Sequence, residues 1–331
     1  MNAVVVYGAT GHTGRFVVEE LLRRGLPTVI AGRDATTLET LASKWGDVDV
    51  RPAAVDDPHA LDQALAKAAA VINCAGPFVA TATPVVEAAV RARIPYVDVA
   101  AEIEANLSTL DRHADTPVVP AMAFYGGLGD LLTTAVLGER TTTDEVHVAY
   151  GLSSWHPTPG TRAAGQVSHD RRAGRRLRFT GGELQYHDDK PVQEDWIFPE
   201  PLGLRRVIPE FTMADVVTVP SHLAVSEVRT YMTVEAAVDL FNADTPAPVA
   251  VEALGRSDQS FVVDVLVRTD GVEQRATARG QDIYAITAPL AVEAVRRILA
   301  GETRTTGVAT AGAMFDATDF LKNLPLEVDL P

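Results

Sequence analysis

The chain has 331 residues, 47% of them hydrophobic, a single cysteine (Cys74) and a formal net charge of −15. That length allows about two domains with buried cores, and the acidic balance argues against nucleic acid or an anionic membrane as a partner. No run approaches the ~18 apolar residues of a membrane span; the first residues read as a strand rather than a signal peptide, and a lone cysteine excludes an intramolecular disulfide, so a reducing, cytoplasmic setting is expected.

In chain order, VVVYG (4–8) is a continuous apolar run, as in a strand buried on both faces. RFVVEELLRRG follows with Val17, Val18, Leu21 and Leu22 on one helical stripe, closed by Gly25. TVIAGR (28–33) is a second strand, and Thr36 with Glu39 predicts a capping box ahead of a helix carrying Leu38, Leu41, Ala42 and Trp45. VDVRPAAV predicts a third strand, and Asp57-Pro58 opens the next helix. AAVINCAGPF (69–78) runs into a Gly-Pro turn, with Thr83-Pro84 capping the helix after it. PYVDVAAE predicts a strand with a helix near 105–115, PVVPAMAF (117–124) a sixth strand, and a short helix follows near 131–138. Strands alternating with helices over short links predict an α/β fold, a doubly wound parallel sheet whose ligands sit outside the carboxyl ends of the strands.

Beyond residue 140 the pattern changes. EVHVAYGLSSW, RRLRFTGGELQY, VRTYMTVEAAV and FVVDVLVRTDGVEQRATARG read as strands, the last with a Thr-Asp-Gly hairpin signal. The Pro-rich stretch 191–211 reads as a separator. This predicts an inserted α+β domain built on a mainly antiparallel sheet, whose long strands could pair in a homodimer. TAPLAVEAVRRILAG (287–301) is a strong amphipathic helix, and ATDFLKNL reads as helical.

The stretch GATGHTG places Gly8, Gly11 and Gly14 three residues apart where the first strand gives way to a helix. The first N–H groups of a helix lack partners and, with the helix dipole, attract a phosphate. Gly8 suits the tight turn, Gly11 a close pyrophosphate and Gly14 close helix–strand packing. Thr10, His12 and Thr13 would line the same turn. An ordinary helix entry without a ligand is the alternative. The second strand ends in Arg33, where NAD sites usually carry an acid. A guanidinium there would hold a 2′-phosphate, so the expected cofactor is NADP(H). Asp34 is read as facing the next helix start.

Together GATGHTGR, AGRD, VINCAGPF, YVDVAAE and the closing GVATAGAMFDATDFLKNL resemble the saccharopine dehydrogenase-like oxidoreductases, a group that includes the trans-acting enoyl reductases. The resemblance covers residues 1–130 and returns near the C-terminus. It implies an N-terminal Rossmann domain over 1–140 and 286–331, with a substrate domain over 141–285. It also implies that the turn Asn73-Cys74-Ala75-Gly76-Pro77-Phe78 covers the nicotinamide half of the cofactor, chiefly through backbone groups. The glycine–glutamate typical of the family after the fifth strand is here Ala101-Glu102. Its turn after the sixth is Ala123-Phe124-Tyr125-Gly126.

Hydride transfer belongs to the cofactor, so the protein must position a substrate and manage a proton. Candidates at strand ends are Asp98, Glu102 and Tyr125, while Asp130 reads as a helix cap. SSWHPTPGTRAAG (153–165) reads as a loop that could close over substrate and contributes His156. Arg171, Arg172, Arg175, Arg176 and Arg178 would suit an acidic or carrier-bound substrate, or form a solvated face pairing with the chain's own acids. Cys74 has no partner suited to a nucleophile. Single histidines and no cysteine cluster leave no metal site. The expected activity is NADP(H)-dependent reduction of a C=C or C=N bond in a small metabolite; the alternative is a non-catalytic NADP(H) sensor.

Overall fold

The computed structural model describes residues 2–46, 48–252 and 255–331. Its first sheet is formed by β1 (Val4–Tyr7), β2 (Thr28–Gly32), β3 (Asp49–Pro52), β4 (Ala70–Asn73), β5 (Tyr96–Asp98) and β6 (Val118–Val119). These are all parallel, in the order β3-β2-β1-β4-β5-β6. The apolar runs split by residue parity, because successive side chains leave a strand on opposite faces. Val4, Val6, Ile30, Ile72 and Val97 enter one core, and Val5, Tyr7, Val29, Val71 and Tyr96 the other. Helices α1 (His12–Arg23), α2 (Ala35–Ala42), α3 (Pro58–Leu65), α4 (Phe78–Ala92), α5 (Ile103–Leu110) and α6 (Gly129–Leu137) complete the α/β pattern. Val17, Val18 and Leu21 of α1 are fully buried, each contributing about 1.5–3 kcal/mol.

Two helix starts differ from the sequence expectation. Asp34, not Thr36, caps α2, its Oδ1 accepting from the Thr37 N–H at 2.9 Å. α4 begins at Phe78 and carries Pro84 inside it. Its early start follows from Glu102, whose two carboxylate oxygens accept from the N–H groups of Phe78 (2.8 Å) and Val79 (3.1 Å). Such a cap from 23 or 24 residues away leaves no local signature.

The second sheet holds nine strands among the described residues. β7 (Thr142–Leu152) lies at its centre, parallel to β12 (Ala224–Thr233) and antiparallel to β13 (Ser260–Thr269). β13 forms the expected hairpin with β14 (Val272–Gln281). β8 (Arg176–Thr180) and β9 (Glu183–His187) form another. The stretch 191–211 is not a mere separator, since it supplies β10 (Glu194–Ile197) and β11 (Leu204–Pro209). The expected loop 153–165 runs into α7 (Pro159–Arg171), with Thr158 capping it by accepting from the Thr161 N–H at 3.0 Å. α8 (Asp215–Thr218) and α9 (Val234–Phe241) flank β12.

The chain then returns to the first sheet. α10 (Thr287–Ala300) packs on α1, and buried Glu293 pairs with Arg24 at 2.6 Å and with Arg297 at 2.8 Å. α11 (Ala311–Met314) and α12 (Ala317–Lys322) pack on α6, and β15 (Glu327–Asp329) joins β14 of the second sheet. Segment 286–331 therefore touches both units. Among the described residues no helix is long and apolar enough to cross a membrane.

Gly14 sits where any Cβ would overlap the carbonyl oxygen of Gly8. Gly14→Ala is expected to lower stability by about 1–3 kcal/mol, read as a lower urea midpoint with an unchanged slope. A midpoint equal to that of the parent would contradict this packing.

Candidate functional site

The β1–α1 turn is built for close approach. Gly8 has a φ of +84°, and a Cβ there would lie 2.7 Å from the Ala75 nitrogen, so the β1 and β4 turns touch through a glycine. Gly11 is the exposed N-cap residue of α1, without a side-chain cap and with no acid in the first turn. Among the described residues, nothing accepts from the N–H groups of His12, Thr13 and Gly14. Thr10 and Thr13 are half-buried beside them, and the Thr10 carbonyl accepts from Arg15 Nε at 3.3 Å. A positive helix end with free N–H groups and no competing carboxylate fits a pyrophosphate.

Arg33 is exposed at the end of β2 and has no ion pair among the described residues. Asp34, the acid beside it, is committed to capping α2. The cation is thus available to a 2′-phosphate.

The turn after β4 is held from below. Asn73 is fully buried; its Oδ1 accepts from the Ala75 N–H at 3.0 Å and its amide donates to the Tyr96 hydroxyl at 3.1 Å. Its side chain shapes the turn and does not face a ligand. The ring of Phe78 turns inward among Ala82, Ala100 and Ala105. Ala75, Gly76 and Pro77 remain accessible. Cys74 is half-buried, and burial pushes its thiol well above the ordinary value, which leaves it inert.

The two carboxylate candidates prove structural. Asp98 is fully buried; its Oδ1 accepts from the N–H groups of Ala100 (3.0 Å) and Ala121 (2.9 Å), and its Oδ2 from the Tyr96 hydroxyl (2.9 Å). It ties strand ends together and has no face toward a substrate. Glu102 is spent on the N-terminus of α4, as described above. Both corrections share one cause: a carboxylate near unpaired N–H groups satisfies them first. Asp130 does not cap its helix locally. It accepts from the Gly312 N–H at 2.8 Å and lies 2.6 Å from His222 Nε2.

Tyr125 remains as the candidate with an uncommitted group. It is 8% exposed, and its hydroxyl is buried without a partner among the described residues. Its ring lies 4.9 Å from that of Tyr150 and 5.1 Å from that of Trp155. Burial, with Tyr284 and Asp215 nearby, holds the phenol well above its ordinary pKa, so it stays protonated. His156 is half-buried, and only its backbone carbonyl is engaged, by the Tyr284 hydroxyl at 3.3 Å. Sequence reasoning missed Tyr284, Tyr150 and Asp215. The Tyr150 hydroxyl donates to Asp215 Oδ2 at 2.8 Å, while Asp215 Oδ1 is buried without a partner among the described residues. Tyr284 packs edge-on against His12 of the glycine turn at 5.1 Å. Burial depresses the His12 pKa, so its ring is neutral at pH 7. No local motif marks these residues, because the partners of their side-chain hydrogen bonds are 65 or more positions away.

The arginine cluster is largely self-paired. Arg172 lies 3.0 Å from Glu104, Arg178 pairs with Asp189 at 2.8 Å, and Arg176 donates to the carbonyls of Pro209, Glu210 and Asp189. A groove of about 1170 Å³ lies elsewhere, along α1 and the end of β14 beside Phe16, Arg205, Phe261 and Leu326. None of the glycine-turn or strand-end candidates lines it.

Residues 4–121 match the family model described as the saccharopine dehydrogenase NADP binding domain. A saccharopine dehydrogenase-like oxidoreductase of Rattus norvegicus is 33% identical over 117 residues, 30% of this chain and 27% of that protein. A lipid droplet localized protein of Caenorhabditis elegans is 38% identical over 112 residues, 30% of this chain and 26% of that protein. Over this domain the chain is similar to saccharopine dehydrogenase-like oxidoreductases. The domain family binds NADP(H). The match spans only about a quarter of the length of those curated relatives. The apo structure of saccharopine dehydrogenase (L-Glu forming) from Saccharomyces cerevisiae superposes with a TM-score of 0.67 over 100% of both chains, at 12% identity. That likeness supports the two-unit fold and not an activity.

Two predictions follow from this geometry. Arg33→Ala should weaken NADPH binding roughly 10- to 100-fold, the scale of a lost charge-assisted hydrogen bond, and leave NADH binding nearly unchanged. Fluorescence titration reads both, and equal losses would remove Arg33 from the 2′-phosphate. Burial also raises Asp98 to about 6 and Asp215 to about 7, against 3.8 ordinarily. A raised carboxyl favours the folded state at pH 4 and loses that contribution as pH climbs through the folded value. Asp215→Asn should therefore flatten part of the fall in urea midpoint between pH 4 and 7; a steeper fall would reverse the sign.

Proposed function

We propose that this chain is an NADP(H)-dependent oxidoreductase that transfers hydride to a C=C or C=N bond of a small metabolite. The observation that carries the reading is the pairing of an acid-free, uncapped helix N-terminus with the unpaired Arg33 at the end of β2. In this reading the N–H groups of His12, Thr13 and Gly14 hold the pyrophosphate and Arg33 the 2′-phosphate. The turn Cys74–Pro77 borders the nicotinamide, and bound NADPH supplies the hydride. Tyr125 supplies the proton, supported by its protonated, unpartnered hydroxyl beyond β6. A cytoplasmic setting belongs to the same proposal and is supported by a single half-buried thiol. The self-paired arginines give a carrier-bound substrate no support.

One observation favours a second reading, that of a dinucleotide sensor. Both carboxylates near the nicotinamide turn are consumed by backbone N–H groups, which leaves neither free to move a proton there. A panel of enoyl thioesters, imines and simple ketones, followed by NADPH oxidation, separates the readings. Reduction of an enoyl or imine substrate is expected, with Tyr125→Phe lowering turnover by roughly 10²–10⁴ while NADPH affinity is kept. Activity on ketones alone would sink the C=C or C=N assignment, and tight binding without any turnover would favour the sensor.

A further inference from the structure

α7 is a helix with almost no core of its own. Of its thirteen residues only Ser168 is buried, while Pro159, Gly160, Ala163, Gly165, Gln166, His169, Asp170 and Arg171 are exposed. Its more covered side carries Thr161, Ala164, Val167 and Ser168, so a single half-buried valine is its largest apolar side chain there. A surface helix normally stays in place by burying an apolar stripe. This one is held mainly at its ends.

The N-terminal end is gathered by the Tyr284 hydroxyl. That oxygen accepts from Trp155 Nε1 (3.2 Å) and the Thr158 N–H (3.3 Å), and lies 3.0 Å from the Thr161 hydroxyl. The ring of Tyr284 in turn packs on His12, the first residue of α1. Just beyond the C-terminal end, Arg172 lies 3.0 Å from Glu104 in the first turn of α5. Neither oxygen of Glu104 is exposed, and neither accepts a well-directed hydrogen bond among the described residues. This carboxylate is therefore held by charge alone. Arg162 adds a tie to the carbonyls of Asn242 and Thr245.

The two anchors stand at the carboxyl edges of β1 and β5, and β4 with its Cys74–Pro77 turn lies between them. Two strand spacings amount to about 10 Å, and a 13-residue helix is about 20 Å long. The helix is long enough to cross the mouth of the dinucleotide site. It is followed by Ala173 and Gly174, both with positive φ, a break in the helical path before β8.

We propose that α7 is a lid over the dinucleotide site, latched at one end by Arg172 on Glu104 and coupled at the other to the glycine turn through Tyr284 and His12. The proposal rests on the reading that the dinucleotide occupies that turn. His12 Nε2, buried without a partner among the described residues, gives the bound nucleotide a group to engage, so occupancy of the turn steadies the Tyr284 anchor. Loss of the latch frees the C-terminal end of the helix, where Arg171 and Arg172 become substrates for trypsin.

Limited trypsin digestion of the full chain tests this, with cut sites located by mass spectrometry and NADPH binding followed separately by fluorescence. Saturating NADPH should slow cleavage at Arg171 and Arg172. Glu104→Gln should speed nucleotide-free cleavage there roughly three- to tenfold, the scale of one half-buried ion pair. Tyr284→Phe, which keeps the ring and removes the hydroxyl, should also speed it and serves if Glu104→Gln does not fold. Unchanged cleavage with NADPH demonstrably bound would overturn the coupling. Parental cleavage rates in both variants would overturn the latch. Absence of NADPH binding would instead contradict the cofactor reading, and the nucleotide-free comparison would still decide the latch.

Discussion

A continuous chain of buried hydrogen bonds fixes the carboxyl edge of the first sheet. Asp98 collects the N–H groups of Ala100 and Ala121 and the hydroxyl of Tyr96; Tyr96 accepts from Asn73, and Asn73 holds the N–H of Ala75. Ala75 then meets Gly8 at a distance that admits no Cβ. The ends of β1, β4, β5 and β6 are thereby set relative to one another by groups that are mostly buried. Each of these polar atoms, left unpaired in the interior, would cost about 1–3 kcal/mol, so the arrangement is close to all-or-none.

That constraint shapes what the edge can do. Backbone is rigidly presented at the two turns that the proposed reading assigns to the dinucleotide, and the nearby carboxylates are used up in presenting it. Polar chemistry must then come from across the interface with the second unit. Tyr125, Tyr150, Trp155 and Tyr284 gather there, and Asp215 joins from the segment before β12. In the proposed reading the first unit positions the cofactor and the second closes the space around it.

The sequence makes the first half of this legible and the second half largely not. Continuous apolar strands, helix stripes, the glycine spacing and Arg33 are local signals, and local signals survive in a single chain. Asp98 and Glu102 are of the right type in the right place, but residue type does not tell a proton donor from a cap; the Glu102 cap spans 23 or 24 positions. α7 escapes notice because Pro159, Gly160 and Gly165 read as a loop and a lone valine, Val167, sets no apolar period. β10 and β11 hide in a Pro-rich stretch: they pair with each other across a Pro-containing link, and β11 joins the sheet through a distant strand, with Val207 on Thr233. Tyr284 and Asp215 matter only through partners far along the chain.

The central claim is that NADP(H) lies across this edge with its pyrophosphate on the first turn of α1. A crystal structure with NADPH tests it most directly. The account predicts pyrophosphate oxygens within hydrogen-bond distance of the His12 and Thr13 N–H groups, the 2′-phosphate on Arg33, and the nicotinamide beside Cys74–Pro77. A nucleotide bound in the groove along the outer side of α1, or one whose 2′-phosphate points away from Arg33, would contradict it.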